Sequence, residues 1–107
     1  MDIVEYLDAK GPSLFADWFD GLDSQAAAKV AVALQRIRQG NLSNAKGVGA
    51  GVLEYRIDFG PGYRIYFGKD GENTVVLLGG GIKRRQERDI ELAQARWADY
   101  RRRKKGI

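Results

Sequence analysis

The chain has no cysteine and no histidine. Without cysteine there is no disulfide framework and no thiolate metal site. Without histidine, a Ser-His-Asp triad, a histidine acid–base pair and a His-ligated zinc are all excluded. Proline is scarce, at two residues, and punctuates the chain rather than dominating it. No apolar run approaches the roughly 20 residues that a bilayer span needs. The opening "MDIVEYLDAK" is acidic and lacks the basic and apolar regions of a signal peptide. The sequence therefore predicts a cytoplasmic protein with no membrane segment, no metal and no cofactor.

What is present is ordinary for a globular protein: 44% hydrophobic and 30% charged residues in a chain of 107. That length predicts one domain over residues 1–107, large enough for one core. The net charge of +4 is unevenly spread. Residues 1–40 carry four Lys/Arg against six Asp/Glu, residues 41–82 four against four, and residues 83–107 ten against four. A basic C-terminal part joined to an acidic N-terminal part suits a polyanionic partner for one surface, and equally a solvated helix.

Leu14, Phe15, Trp18, Phe19 and Leu22 fall on one helical face, with Pro12 and Ser13 suited to its start. Asp23 suits the cap of a second helix, in which Val30, Leu34 and Ile37 form a stripe. Arg36 and Arg38 complement its C-terminal end and Gly40 its stop. From residue 52 the period becomes two. Leu53, Tyr55, Ile57 and Phe59 alternate with Glu54, Arg56 and Asp58, and after "GPG" Tyr63, Ile65 and Phe67 alternate with Arg64 and Tyr66. "TVVLL", residues 74–78, is apolar on both faces and reads as a central strand ended by "GGG" at 79–81. Ile90, Ala93, Trp97 and Tyr100 restore helical spacing, and residues 101–107 read as a frayed basic tail. "DIVEYL" reads as an edge strand. The expected class is α+β, in the order β-α-α-β-β-β-α: a small antiparallel sheet with an N-terminal helical hairpin and a C-terminal helix packed on it.

The chemistry-bearing residues gather on the hairpin. Glu54, Arg56 and Asp58 share one side of their strand, and Arg64 and Tyr66 one side of the next. Guanidinium groups bind phosphate bidentately and stay charged, so they suit charge stabilisation rather than proton transfer. Pairing of Arg56 with Glu54 or Asp58 on a solvent face is the structural alternative. The glycine-rich stretches lack the strand–loop–helix spacing of a nucleotide loop and read as turns. Asp17, Asp20 and Asp23 lack the pattern of a calcium loop.

"LEYRIDFGPGYRIYF", followed by "VVLLGGGIKRRQERDIELAQARWADY", strongly resembles the RelE/ParE superfamily of type II toxin–antitoxin toxins, in the subgroup of phage Gp49-like, HigB-related addiction-module killer proteins. The resemblance covers nearly the whole chain. It implies a ribosome-dependent endoribonuclease that cleaves mRNA and inhibits translation. Its partner would be a cognate antitoxin, a helix-turn-helix protein encoded beside it. Taken with the hairpin and the basic C-terminal part, the candidate catalytic set is Arg64, Lys83, Arg56, Tyr66 and Asp58, with RNA and ribosome contacts at Lys46, Arg84, Arg85, Arg101, Arg102 and Arg103. Arg64 matches the arginine of the family's "GYR" strand, and Lys83 with Arg84 the basic position after the last strand. Arg56 fills the first basic position before the hairpin, while Asp58 stands at the second. Ile90 stands near the position of a late tyrosine, and the histidine of HigB-like members has no counterpart. The general base stays open among Asp58, Glu54, Lys83 and Tyr66, with positioning by the ribosome as a further route. A ParE-like, non-catalytic inhibitor of DNA gyrase and an inactive member acting only in an antitoxin–operator complex are the alternatives.

Overall fold

The structure, a computed structural model, describes residues 1–105. Strand β1 (Asp2–Glu5) leads into helices α1 (Leu14–Asp20) and α2 (Ser24–Arg38). Strands β2 (Ala45–Gly47), β3 (Val52–Ile57), β4 (Tyr63–Lys69) and β5 (Thr74–Ile82) follow, then a single 3-10 turn (Lys83–Arg85) and helix α3 (Gln86–Lys105). The expected α+β architecture is present. The helix caps are those the sequence indicates. Ser13 Oγ accepts from the Ala16 N–H at 3.0 Å and Asp23 Oδ1 from the Ala26 N–H at 2.9 Å, each meeting an otherwise unpaired donor. Gly40, at φ +82°, turns the chain out of α2.

The sheet order is β1-β5-β4-β3-β2. Strands β2 to β5 pair antiparallel, as expected, whereas β1 lies parallel to β5, with Asp2 opposite Thr74 and Glu5 opposite Leu77. The sheet is therefore mixed. Strand β2 escapes sequence reading because three residues ending in glycine carry no period-two pattern. The glycines at 79–81 do not end β5 but run inside it. A Cβ at Gly80 would overlap the Trp18 indole, and one at Gly81 would overlap the Asp89 carboxylate. Absence of side chains there admits close neighbours from both faces.

Alternation along the strands splits the core in two. Tyr55, Ile65, Phe67, Val75 and Leu77 pack with Phe15, Val30, Ala33 and Ile37 of the helical hairpin. On the other face, Val52, Tyr66, Val76 and Leu78 pack with Ala93 and Trp97 of α3. Each fully buried aliphatic side chain contributes about 1.5–3 kcal/mol, so both faces of β4 and β5 are fixed by packing.

The expected fraying from residue 101 is corrected: α3 remains helical to Lys105, and residues 106–107 lie outside the described residues. Arg102 and Arg103 pair with Asp99 one turn back. Arg103 also donates to the Leu7 carbonyl at 2.7 Å, and Lys104 pairs with Asp70. These bonds tie the last turns to the body.

Candidate functional site

Two strands and a turn build one end of the sheet. Arg56 on β3 stands opposite Arg64 on β4, which in turn stands opposite Gly81 on β5. The "GPG" turn closes with Gly60 at φ +54° and Gly62 at φ +78°. The Gly62 carbonyl then accepts from the Lys83 N–H at 2.8 Å, which brings the end of β5 against the hairpin. A Cβ at Gly62 would lie 2.8 Å from Arg64 Nη1 and 3.3 Å from Lys83 Cβ, so this glycine leaves room for both basic side chains. The result is a hollow of about 450 Å³ lined by Arg56, Asp58, Arg64, Lys83 and the turn residues. A neighbouring hollow of about 360 Å³ adds Lys46 to Arg56 and Asp58.

The groups differ sharply in burial. Arg56, Asp58 and Lys83 are exposed, or partly so, whereas Arg64 is 6% exposed. Arg64 Nε is buried and has no hydrogen-bond partner, while its terminal nitrogens border the groove. A permanently charged group held in this way is stiff and incompletely satisfied, and both properties favour an anion in the groove. Arg56 is paired as one sequence reading allowed: its Nε donates to Glu54 Oε1 at 3.0 Å. Glu54 is itself fully buried and accepts twice from Gln86 Nε2, at 3.1 and 2.9 Å. Gln86, the first residue of α3, thus anchors the carboxylate that aims Arg56.

Tyr66 does not line the groove. It is 1% exposed beneath α3, and its hydroxyl has no hydrogen-bond partner. Burial, then the nearby Glu54 charge, push its pKa well above the ordinary tyrosine value. The phenol stays neutral and can serve as a donor, not as a base. Arg84 and Arg85 are exposed on the 3-10 turn just beyond Lys83. Arg101, Arg102 and Arg103 lie some fifteen residues along α3, roughly 20 Å away at the helical rise, and are not part of this groove.

Sequence reasoning missed three half-buried polar residues of α3: Gln86, Asp89 and Arg96. Arg96 Nη1 donates to the Leu78 carbonyl at 2.9 Å. Burial raises the Asp89 pKa, against the lowering influence of Arg85, Arg88 and Arg96. A carboxyl whose folded pKa is raised favours the fold while protonated and loses that contribution as pH rises through the raised value. Asp89→Asn is therefore expected to raise the melting temperature at pH 7. The gain should vanish near pH 3, below the ordinary carboxyl value of about 3.9. Melting curves across this range check it; an equal gain at both ends would remove the burial argument.

Over residues 17–98 the sequence matches the family described as Phage derived protein Gp49-like (DUF891). The chain belongs to this family. An uncharacterised protein of Haemophilus influenzae is 38% identical over 81 residues, covering 75% of this chain and 82% of the relative. The Gp49-like family is associated with toxin–antitoxin modules. Arg56, Asp58, Arg64 and Lys83 all lie inside the matched span of this Gp49-like chain, whereas Arg101, Arg102 and Arg103 lie beyond it.

Proposed function

We propose that this Gp49-like protein is the toxin of a type II toxin–antitoxin module, of the RelE/ParE and HigB-related kind, and that it inhibits translation by cleaving mRNA on the ribosome. A cognate antitoxin, a helix-turn-helix protein encoded beside it, holds it neutral. The observation that carries this reading is the convergence of Arg56, Arg64 and Lys83 on one groove, with Arg64 buried and its Nε unpaired. Such a cradle fits a phosphate of an RNA backbone, with Lys46, Arg84 and Arg85 on neighbouring phosphates. Asp58 is the carboxylate lining the groove. In this reading it takes the proton of the 2′-hydroxyl as that oxygen attacks phosphorus. The bond to the 5′-oxygen breaks, Lys83 supplies that oxygen's proton, and a 2′,3′-cyclic phosphate and a 5′-hydroxyl remain. Arg64 and Arg56 neutralise the added charge on phosphorus, the kind of preorganised electrostatic stabilisation that lowers a barrier where charge develops. Tyr66 supports Arg64 from below and does not touch the phosphate.

Induced expression followed by primer extension tests the reaction. New mRNA ends within codons, appearing before growth stops, are expected. Intact mRNA with DNA-damage signalling would replace this reading by ParE-like inhibition of gyrase. Intact mRNA without growth arrest would leave a member that acts only in an antitoxin–operator complex.

The basic end of α3 adds affinity rather than chemistry in this scheme. Replacing Arg101, Arg102 and Arg103 with glutamine should weaken RNA binding and lower the slope of log K against log salt by about 0.7 for each phosphate no longer neutralised. The drop should be smaller than three independent arginine–phosphate pairs would give, since Arg102 and Arg103 already pair with Asp99. An unchanged slope would show that this end is solvated surface.

A further inference from the structure

A hollow of about 680 Å³ lies at the opposite end of the sheet from Arg64. Lys69 on its rim is five residues further along β4, roughly 17 Å at the rise of a strand. Val52, Leu53, Trp97 and Tyr100 give it an apolar floor beside the glycines at 47, 49 and 51 that also line it. Lys69, Arg101, Lys104 and Lys105 surround it. Asp70, the carboxylate lining it, is already engaged by the Tyr100 hydroxyl at 2.7 Å and by Lys104. That engagement holds the Asp70 pKa below the ordinary value and pushes Tyr100 up to about 12. Among the described residues Lys69, Arg101 and Lys105 have no ion-pair partner. The free polar chemistry of the hollow is therefore cationic, over an apolar floor.

We propose that this hollow is a docking site for an acidic peptide segment of a protein partner, seated by one bulky apolar side chain on the floor and flanked by carboxylates on the rim. The aromatic geometry favours a peptide over a single-stranded nucleic acid. Bases bind such grooves by stacking on open ring faces. Here one face of the Trp97 indole lies against Gly68, where a Cβ would come within 2.5 Å of the ring. The Trp97 and Tyr100 rings themselves stack at 5.4 Å, tilted by only 6°. The indole offers its edge, not a face. An aliphatic or aromatic side chain can use such an edge-lined floor, and the unpaired cations speed the approach of carboxylates. A partner seated here leaves the Arg64 groove uncovered, and the site stands whether or not that groove cleaves RNA.

The test is a selection of random dodecamers displayed on phage, run on the folded full chain. Enriched peptides should place Asp and Glu around one bulky apolar residue. Synthesised, they should bind at least tenfold more weakly to a Lys69→Glu/Arg101→Glu variant. An Arg84→Glu/Arg85→Glu variant carries the same charge change at the other end and should bind them as the parent does. If the first variant fails to fold by circular dichroism, Lys69→Ala/Arg101→Ala replaces it, with a loss of at least threefold expected. Peptides without acidic residues, or equal weakening by both charge-reversed pairs, would overturn the proposal. So would a twelve-residue oligothymidylate that displaces the selected peptides and is weakened by Lys69→Glu alone, a residue the RNA scheme does not use, which would assign the hollow to nucleic acid.

Discussion

Replacing Arg64 with alanine is expected to abolish growth arrest on induced expression while the protein still folds. The guanidinium sits mid-strand, where backbone pairing to Arg56 and Gly81 fixes its direction better than a loop could. Its base is buried and its end faces the groove, so it offers a planar, permanently charged fork with little freedom left to lose. Loss of one such preorganised donor costs about a hundred- to a thousandfold in rate where charge develops in the transition state. Arg64→Lys should recover little, because an ammonium cannot reproduce the bidentate fork. Circular dichroism and a melting curve are the folding controls. A folded Arg64→Ala protein that arrests growth as well as the parent would remove Arg64 from the site, and with it this account of the hairpin. Tyr66→Phe separates support from chemistry. The hydroxyl has no hydrogen-bond partner, so stability should hold, and a partial loss of activity with Arg64 intact would mark a positioning role.

Local patterns carried most of the fold. The caps at Ser13 and Asp23, the helical stripes and the alternation from Leu53 to Phe67 each concern residues close in sequence, where short-range geometry decides the outcome. The parallel seat of β1 could not be read in this way, because it depends on Asp2 meeting Thr74 across the whole chain. The site divides along the same line. Arg56, Arg64 and Lys83 were visible as basic residues on and beside one hairpin, and the structure does bring them to one groove. That Glu54 is anchored by Gln86, that Arg64 is buried and that Tyr66 is covered all depend on where α3 crosses the sheet. Strand alternation says which residues share a side; it does not say what covers that side. The hollow beside Trp97 was missed for the same reason, since its walls come from three strands, the connections between them and a helix end.

The glycines inside β5 set how closely those layers approach, and Gly80→Ala is expected to be among the most destabilising single-methyl additions in the molecule. Its Cβ would overlap the Trp18 ring, which packs against the main core and tilts against Tyr63 at 6.4 Å. Overpacking of this kind costs about 1–3 kcal/mol, since close-packed interiors transmit the strain instead of absorbing it. For a chain of this length the melting temperature should fall by roughly 4–13 °C. Gly71→Ala provides the contrast. Gly71 has φ +78° with open space around it, so alanine there meets backbone strain without a clash and should cost about 1 kcal/mol. Trp18→Leu should make the Gly80 substitution nearly silent, a coupling of about 1–2 kcal/mol in a double-mutant cycle. Additive losses would mean that Trp18 is not the obstacle. The effect should also reach the groove. Gly80 pairs with Ile65, and Gly81 beside it pairs with Arg64, so a strand displaced from Trp18 moves the backbone that aims the guanidinium. Gly80→Ala should therefore reduce growth arrest even at temperatures where the protein remains folded, and the Trp18→Leu background should restore it.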